Sequence, residues 1–217
     1  KQFQDHAIDG LTAEGIFNLN WKEISGKYAD GTPYTLREPV ITFDQLNYGP
    51  MSTAIQISPR VAPQMIGLGL LEAIDESTIL AFADEQDKNN DGISGRPNYV
   101  WNEIKQQNQI GRFGWKANEP TILQQISGAL NGDMGITSPY FNDQHLLKQH
   151  TTAKKMPGGG DPEIANDDLE KMHLYSATLA VPARRNVDDE DVLAGKKLFT
   201  VLNCNACHID KMVTGTH

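Results

Sequence analysis

The chain has 217 residues, of which 39% are hydrophobic, and its formal net charge is −9. This apolar content is enough for one folded domain, or for one domain with part of another, and it excludes a disordered tail. Acidic residues are spread along the whole sequence, so a phosphate backbone would be repelled and nucleic acid is excluded as a partner. No segment approaches the roughly 18 consecutive apolar residues that cross a bilayer, and we expect no membrane span in this chain.

The first predicted element is a β hairpin within residues 14–46. Apolar and aromatic side chains are frequent in residues 16–21, the turn sequence Ala29-Asp30-Gly31-Thr32 follows, and Val40-Ile41-Thr42-Phe43 comes after it. A turn rich in Asp and Gly between two such segments is typical of a hairpin.

From about residue 60 the pattern favours helices. Residues 61–74 are apolar on every side and include Gly67 and Gly69, which predicts a buried helix packed closely against its neighbours. Asp75 is expected to cap a short helix that ends near Ala83. A further helix is predicted over residues 118–132, because Asn118-Glu119-Pro120 is a start signal and Gly132 a stop signal.

The C-terminal third contains a connector and two more predicted helices. The connector is residues 151–163, which are rich in Gly and Pro. One helix begins at Asp167 and ends before Pro182, and the last begins at Asp188-Asp189-Glu190 and runs into Cys204. We therefore predict a mainly α fold with a small N-terminal β hairpin, divided into residues 1–150 and 151–217.

The strongest motif is Cys204-Asn205-Ala206-Cys207-His208, which contains both cysteines of the chain. Covalent haem attachment requires two thiols spaced to meet two vinyl groups and an imidazole beside them that reaches the iron. We predict covalent haem c, with Cys204 and Cys207 as thioether anchors and His208 as the proximal iron ligand. The helix that leads into Cys204 resembles the first helix of a small cytochrome c, so we predict cytochrome c-like helical elements. Residues 1–150 would be a middle region, and residues 151–217 a connector with the truncated start of a cytochrome c-like domain. The chain lacks an initial Met and stops nine residues after His208, so we expect it to be a fragment of a longer protein.

Three other interpretations of this motif are weaker. A thioredoxin-like dithiol would have a strand before the first Cys, whereas here a helix precedes it. A structural zinc site would need a fourth ligand, and only His217 lies nearby; chance occurrence is the third. The second axial ligand of the iron stays open among Met172, His173, Met212, a segment outside this chain, or none.

The polar segment 87–98 matches the opening of an EF-hand-type calcium loop. Oxygen donors at positions one, three, five and seven come from Asp87, Asn89, Asp91 and the backbone carbonyl of Ile93. Asn98 stands at position twelve, where such loops carry a bidentate Glu, so the affinity should be reduced. We predict a calcium ion that stabilises the loop, and the alternative is a polar surface turn.

Several strings in fixed order resemble the bacterial di-haem oxidoreductase family described as putative peroxidases, also named thiol oxidoreductase-like proteins. They are SPRVAP at 58–63, IGLGLLEAI at 66–74, DGISGRPN at 91–98, GRFGWKA at 111–117, GDMGITSP at 132–139 and LAVPARR at 179–185, followed by the Cys-x-x-Cys-His motif. Within the fourth string, we interpret Phe113 and Trp115 as core residues, and Arg112 and Lys116 as solvated or paired with acids. The alternative is a functional role for Arg112, Trp115 and Lys116, such as propionate pairing or an electron relay through the indole.

The resemblance implies two haem c groups, one that relays electrons and one that meets peroxide. It also implies a periplasmic or cell-envelope location, and a first haem motif upstream of the segment present here. The partners would be peroxide as the small-molecule oxidant and a protein or small molecule as electron donor. No catalytic residue is predicted. The alternative function is a non-catalytic haem-binding electron-transfer module, and a third is a calcium-stabilised adhesion or scaffold module.

Overall fold

The computed structural model describes residues 2–215, so His217 lies outside the described residues. The chain forms two compact units. The first comprises Lys1–Ala62 and Gln144–Gly159, and the second comprises Pro63–Asp143 and Gly160–His217. The N-terminal unit therefore includes a later segment of the sequence, and the domain division at residue 150 stays a prediction.

The first unit contains the predicted hairpin. Strand β1 (Ile16–Lys27) pairs antiparallel with β2 (Pro33–Asp44) over their full lengths. The turn between them has Gly31 at φ 88°, a conformation that glycine adopts without steric cost, and the Thr32 amide donates to Asp30 Oδ1 at 2.9 Å. The hairpin prediction is confirmed.

His150 fixes the returning segment of the first unit. Its side chain is buried, its ring contacts Tyr48 with centroids 4.3 Å apart and planes tilted by 57°, and its Nε2 lies 3.4 Å from Glu14 Oε1. These contacts connect residues 144–159 to the N-terminal part of the same unit.

The second unit has its core around helix α3 (Ile122–Met134) and helix α4 (Asn166–Thr178). The buried apolar residues that form this core cluster are Phe113, Ile122, Ile126, Leu130 and Leu169. Helix α3 begins and ends later than predicted. The hydroxyl of Thr121 accepts from the Gln124 amide, and Gly135 closes the helix at φ 73°, whereas Gly132 lies inside it.

A short helix, α1 (Leu68–Glu72), lies against α4 at a point where only glycine fits. A Cβ on Gly69 would overlap the carbonyl oxygen of Ala177 and lie 2.9 Å from its carbonyl carbon. The Gly67 amide also donates to Leu179 O at 2.8 Å. The predicted close packing is confirmed at Gly69, but the prediction of a buried helix over residues 61–74 is wrong. No residue of α1 is buried, and Val61 and Leu70 are 83% and 59% exposed. The helix is also much shorter than predicted.

The remaining elements of the second unit are small. Helix α2 (Glu76–Leu80) follows Asp75 as predicted, but the Asp75 side chain makes no capping hydrogen bond. A second hairpin pairs β3 (Tyr99–Asn102) with β4 (Gln107–Ile110), which the sequence did not predict. Helix α5 (Glu190–Val201) is the last, and the Asp189 carboxylate accepts from the Asp191 and Val192 amides, so the predicted start is confirmed.

The prediction of a mainly α fold is wrong. The chain is only 25% helical and 17% strand, with five short helices and two small sheets in its described part. Residues 61–67 do not form the first half of a helix, because Pro63 lacks an amide donor and Gly67 adopts φ 75°. Within residues 2–215, no helix has both the length and the apolar content to cross a membrane.

Candidate functional site

The cysteine motif follows directly after helix α5. Helix α5 ends at Val201, Asn203 adopts the left-handed conformation at φ 59°, and Cys204–Ala206 form one 3₁₀ turn. The amides of Cys207 and His208 donate to the carbonyl of Cys204 at 3.3 and 2.9 Å. This turn places two cysteines and the histidine within five residues of compact backbone.

Both thiols of the motif are free. Cys204 is half-buried and Cys207 is exposed, so neither is sealed in a core. The His208 ring lies against Phe199 of helix α5, with centroids 6.1 Å apart and planes tilted by 57°. The donor set for a covalently attached porphyrin is therefore present and accessible.

The motif is surrounded by apolar side chains that no protein surface covers. Val201, Leu202 and Val213 are 77%, 68% and 71% exposed. Helix α5 contains no buried residue. Exposing this much apolar surface to water is unfavourable. The exposed side chains beside the two thiols are therefore suited to contact with a flat apolar group.

A cavity of about 950 Å³ borders the motif. One wall is formed by Ala206, Cys207 and Ile209, and the other by the segment from Ile79 to Pro97, which includes the predicted calcium loop. The structure thus brings together two segments that the sequence analysis treated as separate sites.

The downstream end of the motif segment is attached to the core of the second unit. Thr214 forms an isolated bridge with Ile74, and the Gly215 amide donates to Ala73 O at 2.7 Å. Both partners lie at the C-terminal end of helix α1.

The polar loop of residues 87–93 is tightly hydrogen-bonded. Asp87 accepts from the Asp91 and Gly92 amides, and Asp91 accepts from the Ile93 amide at 2.8 Å and from Asn89 Nδ2 at 3.0 Å. Its donors suit a hard cation, but the described part of the chain contains no group of three or more His, Cys, Asp or Glu side chains that could hold a metal ion. The donor set is therefore smaller than the six to eight oxygens that calcium takes.

The candidates for a second axial ligand lie in different environments. Met172 and Met212 are 38% and 37% exposed. His173 lies between two carboxylates, with Nε2 at 3.8 Å from Glu72 Oε2 and Nδ1 at 3.8 Å from Glu170 Oε2. The choice among these three residues stays open.

Arg112 has a structural role that the sequence did not indicate. Its Nη1 donates to the carbonyls of Leu71, Glu72 and Ile74 at the end of helix α1, at 3.0, 3.1 and 2.5 Å. The interpretation of Arg112 as solvated or paired with acids is wrong. Phe113 is a core residue as predicted, whereas Trp115 is 61% exposed.

Glu119 is a half-buried acid that sequence analysis did not single out as ionisable. Burial raises the pKa of Glu119 above its ordinary value, a hydrogen bond from Gln124 Nε2 at 2.9 Å acts in the opposite direction, and the negative charge of Glu103 raises it further. In the sequence, Glu119 was recognised only as part of the helix start signal Asn118-Glu119-Pro120.

The comparison with protein families agrees with the motif. It identifies the chain as a haem-dependent oxidoreductase, since the family model that matches residues 2–217 is that of the di-haem proteins. The chain belongs to the family described as "Di-haem oxidoreductase, putative peroxidase". No curated relative and no solved structure matches it.

Proposed function

We propose that this chain carries a covalent c-type haem on Cys204 and Cys207, with His208 as the iron ligand, and takes part in peroxide reduction. The observation that supports this most directly is the pair of free thiols beside the imidazole, in apolar surroundings that are open to solvent. Family membership supplies the haem cofactor and the oxidoreductase class.

When bound, the haem supplies the redox chemistry, and the residues of this chain hold and cover it. Cys204 and Cys207 would hold the porphyrin through thioether bonds, and the His208 imidazole would bind the iron. Leu202, Val201 and Val213 would then exclude water from the porphyrin. Reduction of hydrogen peroxide to two waters consumes two electrons and two protons, and the electrons would come from a separate donor.

The proposal includes an extracytoplasmic location. Haem c is attached outside the bacterial cytoplasm, so the protein would act in the periplasm or cell envelope. Membership of a di-haem family also brings a second haem into the proposal.

The test uses the natural full-length protein, exported with the haem maturation machinery. We expect the peptide that contains Cys204 to carry the added mass of haem, and the pyridine haemochrome spectrum to give two haems per chain. The double variant Cys204→Ser/Cys207→Ser should lose one haem. Unmodified peptide from properly matured wild-type protein would refute the proposal.

Peroxide reduction is tested separately from haem attachment. We expect a high-spin ferric signal and peroxide turnover with a reduced donor, since an open iron position is needed to bind peroxide. A low-spin protein with two haems and no turnover would instead support the non-catalytic electron-transfer module.

A calcium ion in the loop of residues 87–93 is a second part of the proposal. Two carboxylates, one amide and one backbone carbonyl support it by chemistry, and their small number predicts weak affinity, on the order of millimolar. Thermal unfolding in CaCl₂ and in MgCl₂ should show stabilisation by calcium alone, and Asp87→Asn should abolish it. Equal responses of the variant and wild type would exclude this site.

A further inference from the structure

Arg96 lies on the wall of the cavity that Cys207 also borders. Within residues 2–215, its guanidinium takes part in no hydrogen bond or ion pair. An arginine without a partner, in a concave site beside a cofactor motif, is available for an anion that enters the cavity.

The acids on the same wall form no ion pair with Arg96 within residues 2–215. Asp84 accepts from the Lys88 and Asn89 amides at 2.9 and 3.3 Å, and Asp91 accepts from the Ile93 amide. Their oxygens are thus engaged within the loop. Glu85 also borders the cavity, but no ion pair links it to Arg96 in the part of the chain that the structure describes.

The backbone around Arg96 is held in place from both sides. The Asp84 amide donates to the carbonyl of Gly95 at 3.0 Å, and a Cβ on Gly95 would lie 2.7 Å from the Phe82 carbonyl oxygen. Pro97 restricts the residue before it to extended conformations. The close approach of Gly95 to Phe82 and the restriction imposed by Pro97 therefore fix the backbone position of Arg96.

We infer that Arg96 binds a propionate of the haem attached at Cys204 and Cys207, an assignment that rests on the proposed function. The vinyl groups that react with the thiols and the two propionates leave opposite edges of the porphyrin. A residue that shares a cavity with Cys207 but belongs to another segment is therefore suited to the carboxylate edge. The planar guanidinium donates two parallel hydrogen bonds to one carboxylate, which a lysine does not.

This assignment predicts the direction of an electrochemical change. A cation paired with a propionate offsets the negative charge that favours ferric over ferrous iron. Loss of the Arg96 charge should therefore lower the reduction potential of this haem. For charges near a protein surface and separated by about 10 Å, the effect is roughly a tenfold fall in the ferrous-to-ferric ratio at a fixed ambient potential, or ~59 mV for one electron.

The experiment compares four forms of the natural full-length protein matured with haem: wild type, Arg96→Gln, Arg96→Lys and Arg185→Gln. Arg185 is exposed and does not line the cavity, so it controls for net charge. Haems per chain are counted first. Spectroelectrochemical titration, with the Cys204→Ser/Cys207→Ser protein as the difference reference, then isolates this haem, and resonance Raman reports its propionate bending band.

Wild-type protein without haem on the Cys204 peptide would refute the proposed function itself. If haem is present, Arg96→Gln should lower the potential and shift the propionate band, whereas Arg185→Gln should leave both unchanged. Arg96→Lys keeps the charge but loses the paired hydrogen bonds, so it should shift the band with a smaller change in potential. If both Arg96 variants load haem with unchanged potential and band, the assignment is overturned. If Arg96→Gln does not incorporate haem, an unchanged propionate band in Arg96→Lys is sufficient to overturn the assignment.

Discussion

Replacement of Gly69 by alanine tests the close approach of helices α1 and α4. In an unobstructed helix, alanine is more favourable than glycine by about 0.8–1 kcal/mol. At position 69, however, the added methyl group would overlap the carbonyl oxygen of Ala177. Because the obstacle is backbone, no side-chain rotation relieves it, and α1 has to move away from α4.

The expected loss of stability in Gly69→Ala is the cost of the backbone clash minus the gain from the helical preference of alanine. Overpacking a well-packed interior costs about 1–3 kcal/mol, and a backbone clash lies at the upper end of that range. After subtraction of about 1 kcal/mol for the helical preference of alanine, the net loss in the free energy of unfolding is about 2 kcal/mol. The buried Leu169, which packs beside the displaced helix, would lose contacts as well.

Urea unfolding, monitored by tryptophan fluorescence, measures this loss. A Trp21→Phe background leaves Trp101 and Trp115, which both belong to the second unit. With a slope near 2 kcal/mol per molar urea, the midpoint of Gly69→Ala should fall by about 1 M.

Gly128 provides a control with the opposite sign. It lies inside helix α3, and nothing lies within 4 Å of where its Cβ would be, so Gly128→Ala should be stabilised by about 0.5–1 kcal/mol. A midpoint for Gly69→Ala at or above that of the parent protein would refute the close packing of α1 on α4.

Two further predictions concern charged residues of the second unit. Arg112→Met should lower the free energy of unfolding by about 2–3 kcal/mol, because three carbonyls at the end of α1 lose a charged donor. As a control, Arg184→Met at an exposed position should change the free energy of unfolding by no more than about 0.5 kcal/mol in the same urea assay. Equal effects of the two substitutions would contradict the role of Arg112 in binding the end of α1. The raised pKa of Glu119 means that its stabilising contribution is present below its ordinary value of 4.5 and is lost as pH rises through the folded-state pKa. Glu119→Gln should therefore gain stability relative to wild type with rising pH, and a constant difference across a pH series of urea midpoints would disprove this.

Elements with strong local signals were predictable. The apolar and aromatic segments on either side of the Asp-Gly turn predicted the hairpin β1–β2, and the acidic start at Asp188-Asp189-Glu190 predicted helix α5. Strands β3 and β4 were missed because each has only four residues and the second is largely polar. What fixes their turn is the Asn102 side chain, whose Oδ1 accepts from the Ile104 and Lys105 amides.

The candidate site was only half predictable. The residues of the motif stand next to one another in the sequence, and their chemistry is recognisable from spacing alone. The opposite wall of the cavity, including Arg96, comes from a segment more than a hundred residues earlier. A local sequence pattern contains no information about a contact between such distant segments. For the same reason, the sequence did not indicate that Arg112 binds the end of α1.

The attachment of Thr214 and Gly215 to helix α1 has a consequence for biogenesis. An enzyme that attached the proposed haem would have to bind the peptide around the two cysteines. Once residues 214 and 215 have docked on Ala73 and Ile74, the downstream end of that peptide is fixed, whereas helix α5 on its upstream side has no buried residue. Cofactor attachment would therefore compete kinetically with the folding of the second unit. Slower docking of residues 214 and 215 would leave the enzyme more time to act on the unfolded peptide.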